Sequence, residues 1–237
     1  MKRKNKFIIT VLLTVGLAGI THASLLSDGN FSLATSGSLT SNSDWSLTAN
    51  SPDGNDLGAQ FQTGFANAQN TGAGGTEAPG TGTGIWFRSF EGNQGGSGEV
   101  PALGTIIQSV TAPADGDYTL NFVAGREVNF TAAVFDVSLS AGAQSTSVNL
   151  LTAAIPDGNL GGAASGNAGG TPFSLTLSGV TAGETILVEG RMRVGVDSQI
   201  PGGQSAFLDG FSLVPEPGSL SLLGLGVMSI LGLRRRR

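Results

Sequence analysis

The residues able to do chemistry in this chain are few, and most of them are carboxylates. Between Ser24 and Pro217 there is no cysteine and no lysine, and the one histidine, His22, precedes that stretch. Zinc sites built from Cys and His, Ser-His-Asp triads and imidazole acid–base steps are therefore excluded from it. What remains is 17 Asp and Glu, four arginines (Arg88, Arg126, Arg191 and Arg193) and a small set of aromatic rings. Carboxylates suit divalent cations, calcium above all. In pairs they also run glycoside hydrolysis without histidine, although no motif here singles out a pair. Asp53, Asn55 and Asp56 alternate as calcium-loop oxygens do, yet they lack the length and terminal Glu of an EF-hand, so turn formation is the favoured reading.

The rings offer a second chemistry. Trp45, Trp86, Phe87 and Phe90 are candidate platforms for a sugar ring, with core packing as the competing use of each. Trp86-Phe87 breaks strict alternation, so one ring leaves the core or the strand is buried on both faces. Arg88 and Glu91 lie beside them, and Arg126 adds a donor. Trp86, Arg88, Glu91 and Arg126 form the candidate ligand set.

The elements that must position these residues lie between two unusual ends. Lys2, Arg3, Lys4 and Lys6 precede an apolar run from Phe7 to Ile20, and Thr21-His22-Ala23 supplies small residues for cleavage between Ala23 and Ser24. This is the pattern of a secretory signal peptide and its export machinery, with a permanent anchor as the alternative. At the other end Val214-Pro215-Glu216-Pro217-Gly218 leads into an apolar stretch from Leu220 to Leu233, then Arg234-Arg235-Arg236-Arg237. The prolines bar a helix from starting before Pro217. Fourteen helical residues reach only about 21 Å, short of the hydrocarbon core, so the expected short transmembrane helix needs snorkelling arginines or local thinning. The arginine cluster is expected to stay cytoplasmic while the body between the ends is translocated.

Setting the ends aside changes the charge. Eight of the 12 Lys and Arg lie at the ends, leaving four arginines against 17 carboxylates, a net −13 over Ser24–Pro217 in place of −5 for the chain. Such a body repels nucleic acid and anionic lipid. Without disulfides it must hold itself by its core or by metal.

The body shows no sustained helical periodicity. Ten segments alternate with period two or form short apolar runs: Asp44–Ala49, Ala59–Phe65, Gly84–Phe90, Gly104–Ala112, Asp117–Arg126, Thr131–Ser140, Ser145–Leu151, Pro172–Val180, Glu184–Val194 and Ala206–Val214. Tyr118, Leu120 and Phe122 share one face of a strand expected to be half-buried. Asp115-Gly116 is a hairpin signal, and Thr181-Ala182-Gly183 separates another strand pair. Glycine-rich tracts at Asn67–Gly84, Gly92–Gly98 and Gly158–Gly170 are read as long loops. The expected fold is all-β, a sandwich or jelly roll of about ten strands. The expected division is 1–23 signal peptide, 24–213 body and 214–237 sorting segment.

Two resemblances add to this reading. The Pro215-Glu216-Pro217 tripeptide, the Gly/Leu-rich span and the terminal arginines resemble the PEP-CTERM sorting signal, also labelled an ice-binding protein C-terminal domain. That resemblance implies recognition by a membrane transpeptidase-like exosortase, transient anchoring, then a cell-surface or extracellular location in exopolysaccharide or biofilm. It carries Pro215, Glu216, Pro217 and Arg234 to Arg237 as the sorting residues. No regular threonine ranks support ice binding: Thr71, Thr76, Thr81 and Thr83 sit in an irregular glycine tract. The second resemblance rests on Gln108-Ser109-Val110, Asp115-Gly116, Tyr118 to Phe122 and Arg126, with Asp28-Gly29-Asn30-Phe31 and Phe207 to Leu213 near the ends. These look like galactose-binding-like jelly rolls of carbohydrate-binding modules. That likeness implies an opening Gly-x-Phe strand and a structural calcium where first and last strands meet, at Asp28 and Asp209, which otherwise serve as turn or edge residues. The resulting expectation is a structural or adhesive protein within exopolysaccharide. The alternatives are a carbohydrate-binding module with a defined glycan and a histidine-free glycosidase.

Overall fold

Alternating inward and outward side chains carry the ten expected strands into two antiparallel sheets. The structure is a computed structural model and describes residues 23–33, 44–50, 57–66, 82–88, 102–126, 130, 132–155, 170–195 and 205–216. The strands are β1 Ser46–Ala49, β2 Ala59–Ala66, β3 Gly82–Arg88, β4 Gly104–Thr111, β5 Gly116–Arg126, β6 Ala132–Ala141, β7 Gln144–Asn149, β8 Thr171–Val180, β9 Thr185–Gly195 and β10 Ser205–Pro215. Sheet one has the order β1-β4-β9-β6-β7 and sheet two β2-β3-β10-β5-β8. From β3 onward the chain passes between the sheets at almost every connection. This is the jelly-roll way of closing a sandwich.

Alternation decides what each strand buries. In β6, Phe135, Val137, Leu139 and Ala141 point inward, and the intervening residues are half-buried. Ile186, Val188 and Met192 do the same in β9. Between them Gly190 permits close approach of the sheets, since a Cβ there would lie 2.6 Å from Leu208 Cδ1 and 3.2 Å from Ile106 Cγ2. An aromatic chain crosses the interior: Phe31 packs on Trp45, Phe61 and Phe211, and Phe211 stacks on Phe122, which stacks on Phe173. Centroid separations of 5.3 to 6.0 Å along this chain lie in the range where aromatic pairs attract beyond their buried area.

Three expectations change. Asp115-Gly116 does not close a hairpin, because β4 belongs to sheet one and β5 to sheet two. The turn links the sheets and is held by Tyr118, whose hydroxyl donates to Ala114 O at 2.6 Å. Gly183 likewise sits between β8 and β9 of opposite sheets; a two-residue hairpin closes at Gly142-Ala143 instead, where Ala141 pairs with Gln144. Gly142, at φ 55°, takes the first position, which a type II′ turn reserves for glycine. Second, β5 is buried on both faces: Thr119 and Val123 are buried along with Tyr118, Leu120 and Phe122. Third, Asp28 to Phe31 forms a turn and not an opening strand, with φ of 45° at Asp28 and 53° at Phe31. Phe31 holds this left-handed conformation, costly for a bulky residue, because its ring is wholly buried among Trp45, Phe61 and Phe211. Gln108 clamps the turn, accepting from Ser27 N at 2.9 Å and donating to Ser27 O at 3.0 Å.

Among the described residues no helix is long and apolar enough to cross a membrane. The expected signal helix, the C-terminal apolar segment and the three glycine tracts lie wholly or mainly outside the described residues.

Candidate functional site

Strand parity separates the rings that fill the core from those that can meet a ligand. In β3, Ile85 and Phe87 point inward and are fully buried. Trp86 and Arg88 therefore point to the outer face of sheet two, and both are half-buried. The Arg88 guanidinium lies 5.3 Å from the Trp86 ring centroid. A cation at that distance is attracted by the negative face of the indole.

The neighbouring strands extend this face. Trp86 is opposite Gln60 of β2 and Phe207 of β10, and Arg88 is opposite Ser205. Phe207, Asp209 and Val123 are buried although Phe207 and Val123 stand outside the main core cluster, so this face of the sheet is covered. Part of the cover is the entry to β8. A Cβ on Gly170 would lie 2.8 Å from Ala124 O and 2.9 Å from Phe207 Cζ, so the chain there runs directly over the ring. Asp209 has no exposed surface, and its Oδ1 accepts from Gly210 N at 2.6 Å. Gly210, at φ 62°, accompanies a break in register between Asp209 and Ser212. The bulge returns Phe211 to the core while Asp209 stays opposite Val123. Gln60, Trp86, Arg88, Ser205 and Asp209 each engage a further partner. The result is a polar and aromatic layer, ring beside guanidinium and carboxylate nearby, where an outward sheet face would ordinarily meet water.

The other sequence candidates go elsewhere. Trp45 and Phe87 are core residues and not platforms. Trp45 Nε1 donates to the carbonyls of Ser27 and Asp28, both at 3.1 Å. Arg126 is opposite Ala206, in the inward row that contains Phe87, so it does not join Trp86 and Arg88. Glu91, Phe90, Asp53, Asn55 and Asp56 lie outside the described residues, as do Pro217 and Arg234 to Arg237. The Asp28 carboxylate serves its own turn, accepting from Ser32 Oγ at 2.9 Å and from Leu33 N at 3.3 Å. It lines a cavity of about 270 Å³ with Ser24, Asn30 and Phe211. Among the described residues no group of three or more His, Cys, Asp or Glu is placed to hold a metal ion. Gln60 and Ser205 had no signal of their own in the sequence, and Phe207 was read only as part of the closing strand. Only the pairing of β2, β3 and β10 brings them to Trp86.

The sorting residues are partly inside the fold. Pro215 ends β10, opposite Tyr118, and Glu216 N donates to Asp117 O at 2.8 Å. Residues 213–237 match the PEP-CTERM protein-sorting motif, and export to the surface through that system follows from it. No curated sequence matches the chain. Similar solved structures include TmCBM61 in complex with β-1,4-galactotriose, at 13% identity, TM-score 0.44, covering 82% of this chain and 100% of that one. Another is the enzymatically active domain of bacteriophage CBA120 tailspike protein 4, at 12% identity, TM-score 0.48, covering 82% of this chain and 22% of that one. A third is the K1 cleaved adhesin domain of Lys-gingipain from Porphyromonas gingivalis W83, at 16% identity, TM-score 0.37, covering 73% of this chain and 92% of that one.

Proposed function

We propose that this is a surface-displayed glycan-binding module, delivered by its sorting motif and binding sugar at Trp86 and Arg88 on the outer face of sheet two. The observation that carries the reading is the guanidinium lying against the indole on a sheet face turned away from the core. An indole offers an apolar plane for the C–H face of a pyranose. The guanidinium beside it donates in a fixed fork to ring hydroxyls or a uronate carboxylate. Exopolysaccharide at the cell surface is the glycan such a protein meets first. A structural calcium held through Asp28 and Asp209 belongs to the same reading, bracing the junction of the N-terminal turn and β10.

The test is a binding titration of the full-length chain against a glycan panel, with and without EDTA. The panel includes acidic exopolysaccharide and β-1,4-galactotriose. Trp86→Ala is expected to weaken binding by about tenfold or more, as loss of a stacking ring does, and Arg88→Ala to weaken it less, with both variants still unfolding cooperatively. Binding that survives Trp86→Ala unchanged would sink the assignment. No binding to any glycan returns the chain to a purely structural role in the matrix, and sugar release would make it a glycosidase.

A further inference from the structure

The sorting motif does not begin after the folded body; it begins inside it. β10 is a central strand, paired with β5 along one edge down to Pro215. Val214 is opposite Thr119, Pro215 is opposite Tyr118, and Glu216 N donates to Asp117 O. The other edge of β10 is also occupied near its end. Leu25 N donates to Leu213 O at 2.8 Å, and Leu213 N donates to Ser24 Oγ at 3.2 Å. Proline fits the last position because it has no N–H to place in a ladder. Both ends of the body thus converge: Ser24, the first residue after the expected signal cleavage, lies one strand spacing from the residue that precedes Val214-Pro215-Glu216.

We infer that Val214–Glu216 is a modification segment masked by the fold, and that its partner, a membrane-bound processing enzyme, engages it only after these residues leave β5. The inference rests on the reading of residues 213–237 as a processed sorting signal. Enzymes that read short peptides bind them extended, through the same backbone groups that a sheet uses. A segment already paired to Tyr118 and Thr119 cannot present those groups to a second partner. Release need not unfold the body, since a strand end opens at lower cost than the core. Leu213 and Phe211 remain fixed by Leu25, Leu120 and the aromatic chain. The rate of processing is then set by how often three residues peel away, and the fold meters its own maturation.

The test places the full chain in a host with and without an exosortase-type enzyme and follows trimming by mass. In the T119C/V214C double variant the substituted positions face each other across β5 and β10, at a Cα spacing within what a disulfide spans. V214C alone controls for the substitution. The oxidised double variant is expected to be trimmed about tenfold more slowly than V214C, with the rate restored by reductant. A second variant, Gly-Ser-Gly-Ser inserted between Leu213 and Val214, detaches the motif from β5 and is expected to be trimmed roughly threefold faster than wild type or more. Equal rates for the wild-type, oxidised and inserted forms overturn the inference and leave the sorting reading intact. If neither wild type nor the inserted form is ever trimmed, the sorting reading fails and the inference fails with it. Trimming of the inserted form alone supports both.

Discussion

Arg191 and Asp136 face each other across β9 and β6 on the outer face of sheet one, and their geometry is bidentate. Arg191 Nε donates to Oδ1 at 2.8 Å and Nη2 donates to Oδ2 at 3.0 Å, while Glu189 Oε1 lies 3.9 Å from Nη1. The hydrogen bond to Asp136 raises the Arg191 pKa above its ordinary value; burial opposes the shift and the charges of Asp136 and Glu189 reinforce it. A raised pKa on a cation means that its contribution is present at every pH below the ordinary arginine value and is lost only as pH climbs through the raised one. Arg191→Ala is therefore expected to cost about 1 kcal/mol, the worth of a well-aligned but partly solvated pair. The arginine contributes no pH dependence to that cost from about pH 7 to 10. Denaturant melts of wild type and variant across that range check it. A gap that closes toward pH 10 would mean that the pair is not what Arg191 supplies.

At the scale of the strand, Gly190 shows what packing demands that alternation alone does not reveal. Its inward position faces Leu208 and Ile106, and no side chain fits there without displacing them. Gly190→Ala is expected to destabilise by about 1–3 kcal/mol through overpacking, measurable as a lower urea midpoint at unchanged slope. A neutral result would mean that the sheets separate easily at this point. The strands themselves were legible: Phe173-Leu175-Leu177 and Ile186-Val188 announced β8 and β9 because a half-buried strand must alternate. The break in alternation at Trp86-Phe87 was legible too, but not which of the two rings leaves the core. Sheet membership was not, since Asp115-Gly116 is a local signal and the placing of β4 and β5 in opposite sheets depends on distant partners. Burial of Phe207 on the outer face was hidden too, because the chain at Gly170 lies against its ring, which the strand's own pattern does not reveal.

For the whole molecule, the ends and the core form one problem. A body of net charge −13 with no cysteine relies on its apolar interior. That interior is closed by the last strand: Phe211 touches Phe31, Trp45 and Phe122, and Leu213 joins Leu25 to Leu120. Chains starting at Ser24 and ending at different residues should therefore behave unequally. One ending at Glu216 is expected to melt cooperatively. One ending at Leu213 loses the pairing of Val214 to Glu216 with β5, worth about 1 kcal/mol, and is expected to melt about 2–4 °C lower. One ending at Asp209 loses Phe211, whose removal alone costs about 3–5 kcal/mol, together with Leu213 and its pairing to Leu25 and Leu120, and is expected to show no cooperative transition. Calorimetry of the three would order them. If the chain ending at Asp209 melted like the longest, β10 would not be the strand that closes the sandwich, and the motif continuous with it would be free to leave without consequence.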